Sequence, residues 1–434
     1  PLAAQLRRRW ECRTLAARFG DAGYRTAAVV SNALLSHVER ESGRQTFADG
    51  FQSWNGLLRE EGWNGLWGWK RRDTWLGWIT ALTGLQVAIN RPLHKLFRSN
   101  AVRPVRQHLG EGEVTAANAL RWLDDLLAAP RPYFFLVHFM DPHSPYIPPP
   151  PYRGTVSDPS ILPPGTDVSN RGEFELREIP GKILSGAWRG SRDEARAFAR
   201  FDHDRYREEV LYLDAMVGRI LERVRRSGRP TYILFTADHG EAFGEHDFME
   251  HGTSVYEEEI AVPFVLNGPK VPAGHKLEQA PDLVDAGFTL LSLAGADTAH
   301  ADGRNVLEGK TRPPTLVLIN ENRARNAALI DEPWKLVCGL DYGPDPRPGR
   351  FELTPRALFN LAEDPGETKD LLPSREDVAQ TMLAVLRARL DKDLFPFLEK
   401  RHLSPEERAD LSQLGYLSFG IPEDESDDPH EERK

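Results

Sequence analysis

The chain has 434 residues, 40% of them hydrophobic and 28% charged, a globular balance with room for two or three domains. Collagen, coiled coil and wholesale disorder are excluded. Two cysteines, Cys12 and Cys338, are too few for a disulfide framework or a cysteine-rich zinc site. Net charge is −10, but residues 423–434 alone hold seven acids against two bases, whereas residues 70–106 hold eight Lys/Arg against Asp73. A mildly acidic chain with one basic segment is a poor candidate for nucleic-acid binding. The chain opens on Pro1 with no charged and then apolar leader, so no signal peptide is visible. The longest charge-free stretch, 74–90, is interrupted by Thr74, Thr80, Thr83, Gln86 and Asn90, too polar for a good membrane span.

In chain order, residues 14–19 read as a helix stopped at 21–23, and 26–30 as a short buried strand. Residues 54–108 interrupt this rhythm with six of the ten tryptophans and the basic cluster. Indole and Lys/Arg together suit a sulfated sugar or an anionic membrane surface, or else a solvated helical cap over packed Trp. A helix over 113–128 ends at Pro130 and Pro132, and 133–137 suits a buried strand. Pro142, Pro145 and the prolines at 148–151 then force irregular backbone. A long helix over 193–226 places Val210, Leu213, Val217 and Leu221 on one apolar face. Further strands are expected at 230–236 and 262–266, and a helix at 283–293. Beyond about 311 the texture shifts to short strands at 315–319, 327–330 and 334–337 and a helix at 378–390, a smaller α+β unit. The expected division is a core over 1–310, this unit over 311–400, and a tail over 401–434 that is acidic and disordered from about 421.

Polar residues collect where two expected strands end: Val137-His138-Phe139-Met140-Asp141-Pro142-His143-Ser144-Pro145-Tyr146 and Thr236-Ala237-Asp238-His239-Gly240-Glu241. A third group follows, Gly244-Glu245-His246-Asp247-Phe248-Met249-Glu250-His251-Gly252. In open α/β sheets ligands bind beyond the carboxyl ends of strands. Singly, Asp238 could cap a helix and any one His could be structural. Together, Asp238 and His239 offer a hard oxygen and an imidazole for a divalent metal, with His143, His246 and His251 nearby to meet an oxyanion or move a proton. This combination favours hydrolysis of a phosphate-like or sulfate-like ester.

The Asp-Pro-His-x-Pro-Tyr stretch at 141–146, the Asp-His-Gly-Glu at 238–241, His251-Gly252, Tyr256-Glu257-Glu258, Val262-Pro263, Asp302-Gly303-Arg304, Trp334-Lys335-Leu336, Leu358-Phe359-Asn360-Leu361 and Leu414-Gly415-Tyr416-Leu417 resemble, in order, the sulfatases of the alkaline-phosphatase superfamily. The resemblance spans nearly all of the chain outside 54–108 and 151–190. It implies an alkaline-phosphatase-like α/β fold, with a mostly parallel sheet flanked by helices and a smaller C-terminal α+β subdomain. It also implies that Asp238 and His239 are metal ligands, calcium first and magnesium or manganese as alternatives. His143 and His251 match positions that contact the sulfate or the leaving oxygen; His246 and Asp141 receive no role.

Two departures stand out. The formylglycine motif Cys/Ser-x-Pro-x-Arg is absent, since Cys12 leads into Arg13-Thr14-Leu15, and the Pro373-Ser374-Arg375 match has Leu371 in the nucleophile position. Ala261 stands where many relatives carry Arg. The expectation is a C-terminal portion of a longer reading frame, with roughly 60–100 residues holding the formylglycine and two Asp ahead of Pro1. The expected activity is metal-dependent hydrolysis of sulfate esters on a sulfated small molecule or glycan, outside the cytoplasm, with this chain alone inactive. Alternatives are a phosphodiester or phosphonate hydrolase, a phosphotransferase, or a non-catalytic anion- or glycan-binding pseudoenzyme.

Overall fold

The computed structural model describes residues 13–32, 49–56, 111–169, 176, 178–187, 189–309, 311–321, 324–341 and 351–393. The insert beyond Gly56, Cys12, the motif at 414–417 and the acidic tail lie outside these residues. Helix α1 (Leu15–Asp21) begins at Thr14, whose hydroxyl accepts from the Ala17 amide at 3.1 Å. Gly23, at φ 87°, turns the chain into β1 (Arg25–Val30). This strand pairs in parallel with β2 (Ser53–Gly56), so Trp54 belongs to the sheet rather than to the insert. Helix α2 (Glu111–Ala128) returns the chain to β3 (Tyr133–His138), parallel on the other side of β1. Ala27 to Val30 are wholly buried, as a central parallel strand requires.

Helix α3 (Glu178–Leu184) leads to the long α4 (Arg192–Ser227). A capping box between Ser191 and Glu194 starts α4, and Gly228 at φ 66° ends it. Its buried side differs from the apolar face expected from the sequence. Val210 and Leu221 are each 40% exposed, and the buried stripe runs through Phe198, Phe201, Arg205, Glu208, Tyr212 and Met216. The reason lies in the proline-rich loop after β3, whose amides need acceptors. Glu208 Oε1 takes hydrogen bonds from the Val156 and Ser157 amides and the Ser157 hydroxyl at 2.8–2.9 Å, while Oε2 pairs with Arg205 at 3.0 Å. Glu209 accepts from the Ile147 amide at 2.5 Å.

Next come β4 (Ile233–Thr236), the small hairpin of β5 (Ala242–Phe243) and β6 (Met249–Glu250), the one-turn α5 (Glu257–Ile260), β7 (Phe264–Asn267) antiparallel to β4, and α6 (Leu283–Ala294). The strands at 133–138 and 233–236 are only half-buried, with Leu136 and Phe235 exposed. Among the described residues β3 pairs only with β1, and β4 only with β7. The C-terminal part is an antiparallel sheet of β8 (Thr315–Glu321), β9 (Ala324–Asp331), β10 (Trp334–Asp341) and β11 (Glu352–Asn360), ordered β11-β10-β9-β8. Helix α7 (Glu376–Asp393) covers it, packing Met382, Leu386 and Leu390 on Leu336, Cys338 and Leu358. Strand β11 escapes sequence reading because of Pro355, tolerated here on an edge strand opposite an irregularity at Val337/Cys338. No helix among the described residues is long and apolar enough to cross a membrane.

Buried charge ties this sheet to the segment around α5. Lys335 of β10, with no exposed side-chain surface, lies 2.9 Å from Glu257 Oε1 and 2.7 Å from Glu367 Oε1. Glu367 Oε2 also accepts from the Glu257 amide at 2.6 Å. His246 stacks flat on Tyr256 at 3.9 Å. Its Nδ1 donates to Glu258 Oε1 (2.7 Å) and its Nε2 to the Glu367 carbonyl (3.0 Å). Burial opposes the ring's charge, but Glu258 and Glu367 outweigh it and raise the His246 pKa.

Two outcomes follow from these contacts. Lys335→Met leaves Glu367 buried without its cation and should lower stability by about 3–5 kcal/mol, read from the urea midpoint. The His246 contribution is complete below the ordinary value of 6.5 and is lost as pH rises through its higher folded value. The gap in thermal midpoint between wild type and His246→Ala should therefore shrink as pH climbs from about 6 to 9.

Candidate active site

The parallel register pairs Val30 with His138, so β1 and β3 end side by side. Just beyond, the Ser31 amide and hydroxyl both donate to the His138 carbonyl, at 3.2 and 3.0 Å. His251 touches both His143, just after β3, and His239, just after β4, which brings the segments leaving those two strands together. The two polar segments thus leave the same rim of the fold, the position at which α/β sheets hold ligands.

There the structure brings together all four residues singled out from the sequence. The His251 ring stacks on His239 with centroids 3.9 Å apart and meets His143 edge-on at 5.2 Å. Asp238 Oδ1 accepts from the His239 amide at 3.1 Å and lies 3.8 Å from His239 Nε2. Asp238 is largely exposed, His239 about a third exposed and His251 mostly buried. His246 is absent from this row, committed instead to Glu258 and Glu367. Burial lifts the Asp141 pKa to about 6.

Backbone contacts set the ring orientations. His143 Nδ1 donates to the Ser144 carbonyl at 2.7 Å, which leaves Nε2 with the lone pair. Burial first, and then the neighbouring His251, push its pKa down to about 4, so His143 is neutral at physiological pH. His251 moves the other way. Burial works against its charge, but the hydrogen bond and negative charge of Glu241, with Glu250 and Glu259, raise its pKa. His239 Nδ1 donates to the Gly240 carbonyl at 2.8 Å, which turns Nε2 into the available ligand atom, the orientation usual for a metal-binding histidine.

The donor chemistry of Asp238 and His239 fits a divalent cation. Among the described residues no group of three or more His, Cys, Asp or Glu gathers around one point. Cys338 offers no nucleophile, being buried in β10 with its thiol pushed up to about 12. Ser374 sits in the turn before α7, bonded to the Leu371 carbonyl.

The sulfatase family model matches residues 8–296. The chain belongs to the sulfatase family. An arylsulfatase of Volvox carteri is 27% identical over 349 residues, covering 64% of this chain and 50% of the relative. A Δ4,5-hexuronate-2-O-sulfatase of Bacteroides thetaiotaomicron is 27% identical over 211 residues, 44% of this chain and 42% of the relative. The chain thus spans half or less of the length of these curated sulfatases. A phosphonate monoester hydrolase from Silicibacter pomeroyi superposes with a TM-score of 0.56 at 18% identity, over 92% of this chain and 83% of that one. The fold is accordingly the alkaline-phosphatase-like one that the motifs implied.

Two residues with no role assigned from sequence stand behind this row of imidazoles, Tyr146 and Glu241. Tyr146 donates to Glu241, and Glu241 holds His251. Both close quoted motifs, but a motif does not say what its last residue touches. Gly240 has a steric reason: a Cβ there would fall 2.2 Å from the Glu258 carbonyl oxygen, and its amide donates to the Glu259 carbonyl at 2.8 Å. The Glu259 carboxylate in turn accepts from the Thr253 and Ser254 amides, fixing the loop after His251. Gly240→Ala should push α5 from the Asp238–Glu241 turn and lower stability by about 1–3 kcal/mol, measured by calorimetric unfolding.

Proposed function

We propose that this chain carries the metal-binding and leaving-group side of a sulfate-ester hydrolase site. The observation that supports the reading best is the convergence of Asp238, His239, His251 and His143 on one rim, inside the segment matched by the family model. A divalent cation, calcium first and magnesium or manganese as alternatives, would supply charge stabilisation to the oxygens of the ester. Asp238 would hold it through a carboxylate oxygen and His239 through Nε2. The two remaining imidazoles have pKa values displaced in opposite directions, the pattern that separates a proton donor from an acceptor. His251 presents an N–H to the substrate oxyanion or leaving oxygen, and neutral His143 accepts through Nε2. No described residue is assigned as nucleophile.

The names of the two sulfatases support an aryl or glycan sulfate as substrate class, and the family resemblance favours a location outside the cytoplasm. The division into a core over 1–310 and a smaller unit over 311–400 belongs to the same reading, the second unit docking through Lys335 and His246. A phosphonate monoester carries the same single negative charge on a tetrahedral centre, so turnover of the two ester classes side by side tests the choice of sulfate.

Metal content and kinetics separate the roles. Asp238→Ala should lower divalent-cation affinity at least about tenfold by calorimetry. His251→Ala should leave metal content at the wild-type level. In any preparation that hydrolyses an aryl sulfate, it should lower kcat by about 10²- to 10⁴-fold. Equal metal loss in both variants would move His251 into the coordination shell and overturn the assignment. Oxyanion binding without turnover of either ester would favour a binding protein on the same scaffold.

A further inference from the structure

Behind the row of imidazoles runs a buried chain of three polar groups. The Tyr146 hydroxyl donates to Glu241 Oε2 at 2.8 Å, and Glu241 Oε1 lies 2.9 Å from His251 Nδ1. The three side chains come from separate segments: the loop after β3, the residue after Gly240, and the loop after β6. Tyr146 is buried, and the Glu241 side chain is only 7% exposed, so water does not compete for either bond. Among the described residues Glu241 pairs with no Lys or Arg, and its carboxylate is spent on the phenol and the imidazole.

An ionised carboxylate only accepts, so the hydrogen in the second bond sits on Nδ1 of His251. With that hydrogen on Nδ1, Nε2 donates to an anion only when the ring carries both hydrogens. The ring has little freedom to rotate, being stacked on His239 and edge-on to His143. We infer that Glu241, itself held by Tyr146, is a positioning residue that orients the His251 ring by accepting from Nδ1, so that the Nε2–H of the doubly protonated ring faces the substrate oxyanion. This rests on the reading of His251 as a substrate contact. It adds that the final Glu of the Asp-His-Gly-Glu stretch serves the neighbouring histidine rather than the metal.

The test uses the full chain labelled with 15N-histidine, with inorganic sulfate as the probe anion. Wild type should show a downfield, slowly exchanging Nδ1 proton for His251, and Glu241→Ala should abolish it. Tyr146→Phe removes one hydroxyl and preserves the fold, and should speed exchange of that proton severalfold. Glu241→Gln, which keeps an acceptor oxygen, should restore the signal in part. Sulfate affinity should fall about tenfold in Glu241→Ala, the effect of one misaligned charge-assisted hydrogen bond. The double variant Glu241→Ala/His251→Ala should bind no more weakly than His251→Ala alone. A retained proton in Glu241→Ala, unchanged exchange in Tyr146→Phe, or additive losses in the double variant would each overturn the positioning role. Failure of wild type to bind sulfate overturns the substrate reading of His251, while the proton signal still decides the Glu241–His251 bond on its own.

Discussion

The structure around the site depends on buried carboxylates that accept hydrogen bonds from backbone without regular structure. Prolines at 142, 145 and 148–151 deny the loop after β3 a helix or a ladder, yet its remaining amides cannot be left unpaired in the interior. Glu208 and Glu209 on α4 accept from Val156, Ser157 and Ile147. For Glu208, burial raises the carboxyl's pKa, but the amide donors outweigh it and hold it below the ordinary range. Glu259 likewise accepts from the Thr253 and Ser254 amides after His251, and Glu367 accepts from the Glu257 amide at the start of α5. Each anchor joins an irregular functional segment to a regular element, so the loops bearing His143 and His251 inherit the rigidity of helices.

That arrangement explains how three imidazoles share one small volume. A row of histidines under 6 Å apart would repel if all were charged, and the site avoids this by unequal environments. His143 is buried against a carbonyl and stays neutral, while His251 faces the Glu241 carboxylate and is drawn toward its charged form. Differential surroundings, rather than residue type, displace the pKa values of two copies of the same side chain in opposite directions. The C-terminal sheet contributes from a distance. Lys335 and the Glu367 loop hold the start of α5, whose carbonyl edge packs against Gly240 beside Asp238 and His239.

Much of this was legible in the residues. Apolar runs ending in Asp238-His239 and in Asp141-Pro142-His143 placed chemistry at strand ends, and the structure brings those ends together. Periodicity located α2, α4, α6 and α7 to within a few residues, because caps such as Ser191, Gly228 and Gly295 act locally. It failed on the buried side of α4, where Arg205 and Glu208 displace Val210 and Leu221 from the interior. Hydrophobic spacing assumes that burial follows apolarity, whereas here burial follows the demand of a distant loop for acceptors. It also failed on β11, where Pro355 masks an edge strand.

The sequence by itself determined the family, the strand-end placement of the polar segments and the identity of the four candidate site residues, since short-range order and motif spacing are written along the chain. Only the tertiary structure decided which histidine is neutral and which is drawn toward charge, that His246 binds the Glu367 loop instead of joining the row, and that Glu241 answers to His251. Those outcomes depend on through-space neighbours: Tyr146 lies 95 positions from Glu241, and His246 lies 121 from Glu367. Electrostatic environment falls off with distance in space and has no counterpart in distance along the chain.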